Sequence, residues 1–484
     1  MPSDEPALSR MPARPMLVPL IVACGLFMEN LDSTVLSTAL PSVARSFGEN
    51  PVHLNLALSS YLFSLAVFIP ISGWVADRFG ARQVFRAAIV IFTIGSIFCG
   101  LSQSLWQLVV ARALQGLGGA IMTPVGRLTV LRSVPRHEFV RAMTYVTIPA
   151  LVGPIVGPPV GGFITTYFSW RWIFWINVPI GILGVVLVTL FIENLREEPP
   201  PFDWPGFALS GLGLTGLVVG FETVARGLLP DSIVAMSFAA GAMMIVLYIL
   251  HAHRRSYPAV NLSLLKIPTF RAGVIGGFLF RIGIGAIPFL LPLMLQVCFG
   301  LSPFHSGLLT LASAVGALFM KTIAVKVLRQ FGFRQVLLVN AIFSSSLLAL
   351  YGLLQPWTPH VFILALLVTA GFFRSLQFTS INALTYADIP RERMSQATSF
   401  ASMQQQLSLS VGVGTGALLL HAAMNGHSQS VLTTADFSMS FFALGLISAL
   451  SIFAFLPLPR HAGAEVSGQR HRAPVTSPFP RPGE

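Results

Sequence analysis

Two acidic residues, Glu29 and Asp32, lie inside the first long apolar stretch of the chain, which runs from Leu17 to Leu40. An ionisable side chain in bilayer hydrocarbon costs roughly 2.5–3.5 kcal/mol, so its presence there indicates a function. A spacing of three residues puts both carboxyl groups on one face of a helix. Because a low dielectric favours the neutral form, a carboxyl group at this depth can take up and release a proton. We therefore expect this helix to carry a proton-transfer step.

Basic residues also fall within apolar stretches, and these are Arg112, Arg127, Arg281, Lys321 and Arg374. A lone arginine in hydrocarbon needs a partner, and Asp32 or Glu29 is the natural one for Arg112. Such a pair either couples proton uptake to a rearrangement or is a static structural ion pair. The three cations of the C-terminal half either pair across a cavity with those two acids or bind an anionic or zwitterionic substrate. Lys321 is also long enough to reach the membrane surface.

The composition identifies a polytopic membrane protein. Of 484 residues, 54% are hydrophobic and only 10% are charged, whereas soluble domains carry about 25% charged residues. The first 16 residues lack the short apolar core and cleavage site of a removable signal peptide. The three cysteines, Cys24, Cys99 and Cys298, fall in apolar stretches, which favours buried small side chains over disulfides or metal ligands.

Stretches of about 20 apolar residues predict membrane-spanning helices. The sequence contains fourteen of them, at 17–40, 55–76, 85–103, 107–130, 143–166, 171–193, 205–225, 231–251, 272–297, 306–328, 334–355, 360–383, 397–421 and 437–457. An even number puts both termini on one side. If that side is the cytoplasm, most Lys and Arg residues are cytoplasmic, and only Arg45, Arg171 and Arg226 lie in external loops. The net charge of +12 is therefore mainly a topology signal, and nucleic-acid binding is not expected.

An internal repeat divides the chain. Phe, Gly, Arg, Gln and Val recur between residues 77–84 and 329–336 at a constant offset of 252. The two segments follow the second and tenth stretches, as in two equivalent six-helix bundles, which is typical of transporters with a substrate site between the halves. We predict a cytoplasmic N-terminus at 1–16, an N-terminal bundle at 17–193, a linker with two inserted helices at 194–271, a C-terminal bundle at 272–457 and a disordered cytoplasmic tail at 458–484.

Five segments, in order, resemble motifs of the major facilitator superfamily, and in particular of its 14-spanning drug:proton antiporters. They are 31–35 with 39–41, 73–82, 112–120, 153–162, and 170–174 with 177–181. Arg281 with Pro288, Pro292 and Gln296 is similar to a bacterial inner-membrane multidrug exporter subgroup. The resemblance implies an all-α membrane protein with two six-helix bundles plus two inserted helices. It also implies a monomer in the bacterial cytoplasmic membrane, with both termini cytoplasmic.

The resemblance assigns roles to residues by motif. It implies proton coupling by Asp32 and Arg112, with Asp32 favoured over Glu29. It further implies a gating latch at Gly73, Asp77, Arg78, Gly80 and Arg82, a helix-4 motif at Gln115, Gly116 and Gly118, and a helix-5 exporter motif at Gly153, Gly157, Pro158, Gly161 and Gly162. Candidate substrate-cavity residues are Arg281, Arg374, Gln296 and Glu222, although Glu222 also suits a local pair with Arg226.

The sequence argues against an enzyme. It contains no phosphate-binding loop ending in Lys-Ser/Thr, no His-Glu-x-x-His and no Cys-x-x-Cys. We expect no cofactor and no metal, with the proton as coupling ion. The prediction is a proton-coupled antiporter that exports drugs or other small amphiphilic molecules. The alternatives are a proton symporter, a dedicated exporter of one metabolite or organic anion, and, more distantly, a non-transporting membrane sensor or scaffold.

Overall fold

The structure is a computed structural model that describes residues 16–49, 54–194, 196, 201–226, 230–301, 303–426 and 432–467. Throughout these ranges the regular secondary structure is helical. The predicted N-terminus and most of the predicted tail lie outside the described residues. An all-helical chain suits a membrane, because a helix satisfies its own backbone hydrogen bonds in hydrocarbon.

The described residues of the N-terminal half form eight α-helices. They are α1 (Leu17–Phe47), α2 (Asn55–Phe68), α3 (Ser72–Phe79), α4 (Ala81–Leu101), α5 (Leu105–Ser133), α6 (Phe139–Tyr167), α7 (Trp172–Trp175) and α8 (Asn177–Phe191). One 3₁₀ turn joins α2 to α3, so the two form a single bent rod, and α7 leads directly into α8. The main helix contacts in this half pair α1 with α6, α4 with α5, and α2 with α5.

The inserted pair and the C-terminal half follow. The inserted pair is α9 (Trp204–Arg226) and α10 (Asp231–Arg254). The C-terminal half contains α11 (Pro268–Gly285), α12 (Ile287–Val297), α13 (Pro303–Leu350), α14 (His360–Thr385), α15 (Met394–Gly426), α16 (Thr434–Ala449), α17 (Ser451–Phe455) and the short α18 (Ala464–Ser467). In this half α13 packs on α14 and α16, and α11 packs on α15.

The helices run between two ends of the bundle. The end that holds the start of α1 and the turn after α3 is called the terminal face here, and the opposite end is called the far face. Contacts agree with this arrangement: Arg171 donates to the Ser102 carbonyl at the far face (3.1 Å), and Arg334 donates to the Leu456 carbonyl at the terminal face (3.2 Å).

Within the described residues, twelve helical segments are long and apolar enough to cross a bilayer. One of them covers 49 residues from His305 to Leu353, which is about 74 Å of helix at 1.5 Å per residue and more than twice a hydrocarbon core of about 30 Å. The 29-residue α6 is not among the twelve. The predicted fourteen passes therefore require α13 to cross twice and α6 to cross once.

Two glycines make the sharp turns in the repeated segment. Gly80 has φ 91° and ψ 135°, and Gly332, inside α13, has φ 73° and ψ 165°. Only glycine adopts this backbone region at little cost. Each residue reverses the chain between two long helices without a loop, and this explains why Phe-Gly recurs at equivalent places in the two halves. The sequence predicted a loop at both sites, where the structure has one-residue breaks.

The inserted helix α9 lies between the two halves. It contacts α10, α2 of the N-terminal half and α15 of the C-terminal half. Gly211 on α9 packs close to the Val67 carbonyl, and Phe221 of α9 packs onto Gly414 of α15. The contact with α10 is made backbone to backbone, at Gly216 and Gly241. Close approach of this kind needs residues without a side chain.

Candidate functional site

A buried ion pair joins α1 to α5 in the N-terminal half. Nη1 of Arg112 lies 2.5 Å from Oδ2 of Asp32. Both residues are almost inaccessible, with exposed fractions of 1% for Arg112 and 3% for Asp32. Asp32 lies near the middle of α1, whereas Arg112 follows the start of α5 by two turns, so the pair sits between the centre of the bundle and the far face. A charged pair this deep is stable only when further hydrogen bonds satisfy both groups.

Two amide side chains donate further hydrogen bonds to the carboxylate, and a serine hydroxyl accepts from both amides. Gln115 Nε2 donates to Oδ1 of Asp32 at 2.9 Å, and Asn177 Nδ2 donates to the same oxygen at 2.8 Å. Both amides also donate to Ser96 Oγ, at 2.6 and 3.1 Å. Helices α1, α4, α5 and α8 thus meet around one carboxylate, which accepts hydrogen bonds from Arg112, Gln115 and Asn177.

Arg112 has further contacts of its own. Its Nη1 donates to Gln115 Oε1 at 2.5 Å, its Nε donates to the Ala57 carbonyl at 3.4 Å, and its guanidinium lies 4.4 Å from the centre of the Tyr61 ring. If Asp32 took a proton, the guanidinium would lose its counter-ion but keep the carbonyl, the amide and the ring. The arrangement can therefore exist in two states without an entirely unsolvated cation.

Glu29, one turn away on α1, is in a different environment. It is partly exposed, accepts a hydrogen bond from Thr123 Oγ1 at 2.8 Å and interacts electrostatically with Arg127. Thr123 and Arg127 both lie on α5. Of the two candidate partners for Arg112, the structure therefore places Asp32 in the ion pair and directs Glu29 toward the interface of the halves.

The helix-4 motif lets α5 approach its neighbours closely. A Cβ on Gly116 would come within 2.7 Å of the Tyr61 carbonyl oxygen on α2. A Cβ on Gly118 would come within 2.6 Å of the Phe92 backbone nitrogen on α4. Real side chains essentially never approach so closely, so these glycines set the depth at which Arg112 and Gln115 meet α1.

The helix-5 motif packs α6 directly against the part of α1 that carries the acids. A Cβ on Gly153 would lie 3.0 Å from the Leu31 nitrogen, and Gly157 packs against Thr34. Gly161 is buried, whereas a Cβ on Gly162 would have no atom within 4 Å. The backbone of Pro158 lies within α6, and its side chain is outside the described set. The motif therefore acts at Gly153 and Gly157 as a contact surface for α1.

The predicted latch residues lie at the terminal face, where the two halves touch. Asp77 forms an ion pair with Arg132 of α5 at 2.9 Å and accepts a short hydrogen bond from Ser395 of α15. Beside it, the Ser72 and Ser399 hydroxyls are 2.9 Å apart, again across the halves. Asp77 thus has its cation in the N-terminal half and a hydroxyl donor in the C-terminal half. Hydrogen bonds to a charged group are strong, so this contact favours the state in which the halves touch at the terminal face.

The other predicted latch residues, Gly73, Arg78 and Arg82, have no ion pair with Asp77 in the structure. A Cβ on Gly73 would lie 2.7 Å from the Ser395 carbonyl oxygen, so this glycine permits the contact between halves. Arg82 donates to the Ile192 carbonyl within its own half at 3.3 Å, and Arg78 is exposed. The cation that pairs with Asp77 is Arg132, a residue that the sequence analysis counted only as a topology signal.

A second contact between halves reinforces the terminal face. Arg136, which follows α5, donates to the Ala387 and Ile389 carbonyls after α14, at 2.8 and 3.0 Å. The same guanidinium lies 3.7 Å from the Glu465 carboxylate of α18. The cavity between the halves is therefore closed on the terminal face.

The intramembrane cations of the C-terminal half pair with neutral groups. Arg281 donates to Gln404 Oε1 at 3.2 Å and Asn382 Oδ1 at 3.0 Å. Lys321 donates to Thr379 at 2.5 Å and is 3% exposed, so it does not reach the membrane surface. Arg374 donates to Ser313 at 3.3 Å.

The remaining predicted cavity residues are less informative. Gln296 is half-buried on α12. The side chain of Glu222 lies outside the described residues, as does that of Arg226. Across the described ranges no cluster of three His, Cys, Asp or Glu side chains could hold a metal ion. The three cysteines are unpaired.

Sequence reasoning missed four participants: Ser96, Asn177, Arg132 and Ser395. Asn177 belongs to a motif that was recognised, but nothing in one sequence links it to a carboxylate 145 positions away. A polar amide at the start of an apolar stretch was the available signal. For Arg132 the signal was its place on the same helix as Arg112, since α5 continues to Ser133.

The comparisons with known proteins agree with this architecture. The family profile described as Major Facilitator Superfamily matches residues 22–266 and 273–481. The "Putative multidrug resistance protein MdtD" of Salmonella heidelberg (strain SL476) is 41% identical over 444 residues, covering 91% of this chain and 94% of the relative. The protein of the same name in Escherichia fergusonii is also 41% identical, over 457 residues, covering 93% and 96%.

Solved structures share the fold at low sequence identity. The human organic anion transporter MFSD10 has a TM-score of 0.67 at 14% identity, covering 92% of this chain and all of that one. The proton:xylose symporter XylE has a TM-score of 0.65 at 14% identity, covering 94% and 98%. With the profile covering most of its length and close relatives along nearly all of it, the chain is a multi-pass membrane transporter that belongs to the major facilitator superfamily.

Proposed function

We propose that this transporter is a proton-coupled antiporter that exports small amphiphilic molecules across the bacterial cytoplasmic membrane by alternating access. The observation that carries the proposal is the Asp32–Arg112 pair, buried within one half and held by Gln115 and Asn177. The name of the bacterial relatives, which refers to multidrug resistance, supports export as the direction. The distribution of Lys and Arg supports a cytoplasmic terminal face and cytoplasmic termini.

In the proposed cycle a proton from outside neutralises Asp32 and frees Arg112 from its counter-ion. Helix α5 carries both Arg112 and Arg132, so a shift at one end of this helix reaches the Asp77 latch at the other. Pro124 lies between them and lets α5 bend. Opening of the terminal face then exposes the cavity to the cytoplasm, where loss of the proton re-forms the ion pair and substrate binds again.

A second candidate function rests on a specific observation. Arg281 is buried among neutral groups, and a cation in a transport cavity suits an organic anion or a single acidic metabolite. Such a substrate fits either of two transport modes, export by proton antiport or uptake by proton symport.

The test is flux in proteoliposomes under an imposed pH gradient, with a panel of lipophilic cations and organic anions. We expect flux that follows the gradient in the wild type and disappears in Asp32→Asn. Flux that ignores both the gradient and the substitution would assign Asp32 a purely structural role. Accumulation of a substrate on the same side as the entering protons would show symport instead.

A further inference from the structure

One small cavity lies at the interface of the two halves, on the central side of the latch. Arg127 of α5 lines it from the N-terminal half, and Arg281, Asn382 and Gln404 line it from the C-terminal half. On α15, Gln404 follows Ser399 of the terminal-face contact by five residues, or about 7.5 Å of helix. The cavity therefore lies between the halves, about one and a half helical turns from the terminal-face contact.

Both guanidinium groups in this cavity lie beyond ion-pair distance of any carboxylate that the structure describes. Arg281 is 3% exposed and contacts two amide oxygens and the Phe378 ring, 5.5 Å from its centre. In the part of the chain that the structure describes, neither Arg281 nor Arg127 has a carboxylate within 4.0 Å. Glu29 acts on Arg127 only from beyond that distance. The two cations repel one another across the interface.

Unused hydrogen-bonding groups surround the same space. Within the described residues, Nε of Arg281, Nε2 of Gln404 and Oε1 of Gln405 are buried without a hydrogen-bond partner. Buried polar groups of native proteins are nearly always satisfied, so these atoms are available to hydrogen-bond a ligand or water in the cavity. Two of the three groups are donors, and a guanidinium fork matches the geometry of a carboxylate.

We propose that this cavity binds the carboxylate group of the transported molecule, held between Arg127 and Arg281. The inference rests on the proposed export function and specifies its substrate class as an amphiphilic carboxylate. An anion that bridges cations on opposite halves cancels their repulsion. Substrate binding would thus favour the arrangement in which the terminal face is closed.

The test is binding by the full-length protein in lipid nanodiscs, measured by titration calorimetry. Acetate, succinate and benzoate are the carboxylate probes, and tetraphenylphosphonium is the cationic comparison. We expect at least one carboxylate to bind to the wild type, and its affinity to fall by about tenfold or more in Arg281→Gln and Arg127→Gln, because each loses a charge-assisted hydrogen bond. Arg281→Lys keeps the positive charge but loses the two-pronged guanidinium, so its affinity for the carboxylate should lie between those of the wild type and Arg281→Gln.

Arg271→Gln is the matched control, since it removes one positive charge from an exposed position on the same helix as Arg281. It should bind like the wild type. Should Arg281→Gln fail to fold, Arg127→Gln and Arg281→Lys decide the question. The proposal would be overturned if none of the three carboxylates bound at millimolar concentration, or if Arg281→Gln and Arg127→Gln bound them as tightly as the wild type.

The two proposals fail separately. Flux of tetraphenylphosphonium driven by the pH gradient, without carboxylate binding, keeps proton antiport and rejects the carboxylate site. Carboxylate binding that depends on both arginines, without any flux driven by the pH gradient, keeps the site and rejects the coupling.

Discussion

Replacing Asp32 by Asn changes one atom of a fully bonded buried carboxylate. In one orientation the new NH₂ group takes the place of the oxygen that lies 2.5 Å from Arg112 Nη1, so two donors face each other. In the flipped orientation the NH₂ group faces the donors of Gln115 and Asn177. Breaking a buried ion pair from one side costs about 3–5 kcal/mol. We expect the free energy of unfolding in detergent to fall by that amount, and transport driven by the pH gradient to disappear.

The informative comparison is the double variant Asp32→Asn with Arg112→Gln. It removes both charges, so no unpaired ion remains at this site, and we expect it to recover most of the lost stability. Coupling should not recover, because no group at this site can then exchange a proton. The double variant should therefore move substrate down its own gradient at a rate that does not respond to pH.

The assay measures unfolding and proteoliposome flux for wild type, both single variants and the double variant. A static structural pair predicts that stability and driven transport recover together. Driven transport at the wild-type level in the double variant would refute the coupling role of Asp32.

Three further perturbations test other parts of the structure. Asp77→Asn removes the ion pair with Arg132, so the protein should insert normally but transport slowly. Cysteines introduced at the terminal face should also react faster with thiol reagents. Normal efflux at normal expression would contradict the latch. Gly153→Ala should reduce stability and flux, because its Cβ would lie 3.0 Å from α1, whereas Gly162→Ala on the same helix should be neutral; equal behaviour of the two would argue against the contact surface. Asn177→Ala removes a hydrogen bond to a charged group and should cost about 1.5–3 kcal/mol in unfolding experiments; an unchanged unfolding midpoint would mean that Asn177 is not needed by Asp32.

The fold can be predicted from the sequence because each membrane-spanning helix is determined by the composition of its own segment. Apolar stretches of bilayer length identify the helices one by one, and the repeated Phe-Gly segment relates the halves without any contact information. Helix ends are less readable, since α5 continues to Ser133, past the last apolar residues, and carries Arg132 to the latch.

The candidate site can be predicted only in part, because its residues are brought together by contacts between segments that are distant in the sequence. Charges in hydrocarbon identify Asp32 and Arg112, since each needs a partner and few are available. Small polar residues give no such signal: Ser96 and Asn177 look like ordinary residues of apolar helices until four helices bring them to one carboxylate. The same holds for Ser395, whose role at Asp77 exists only when the two halves meet.

The position of α9 has a consequence for the route by which a substrate reaches the cavity. Molecules with an apolar body concentrate in the bilayer before they meet a transporter, and a seam between two moving bundles is a side entrance from the lipid. Along the seam between α2 and α15 that entrance is occupied by α9. A lipid-dissolved substrate would then have to enter at the opposite seam, where α6 faces α13 and α14. The inserted pair would therefore leave a two-fold pseudosymmetric fold with one lateral entrance from the lipid, on the α6 side.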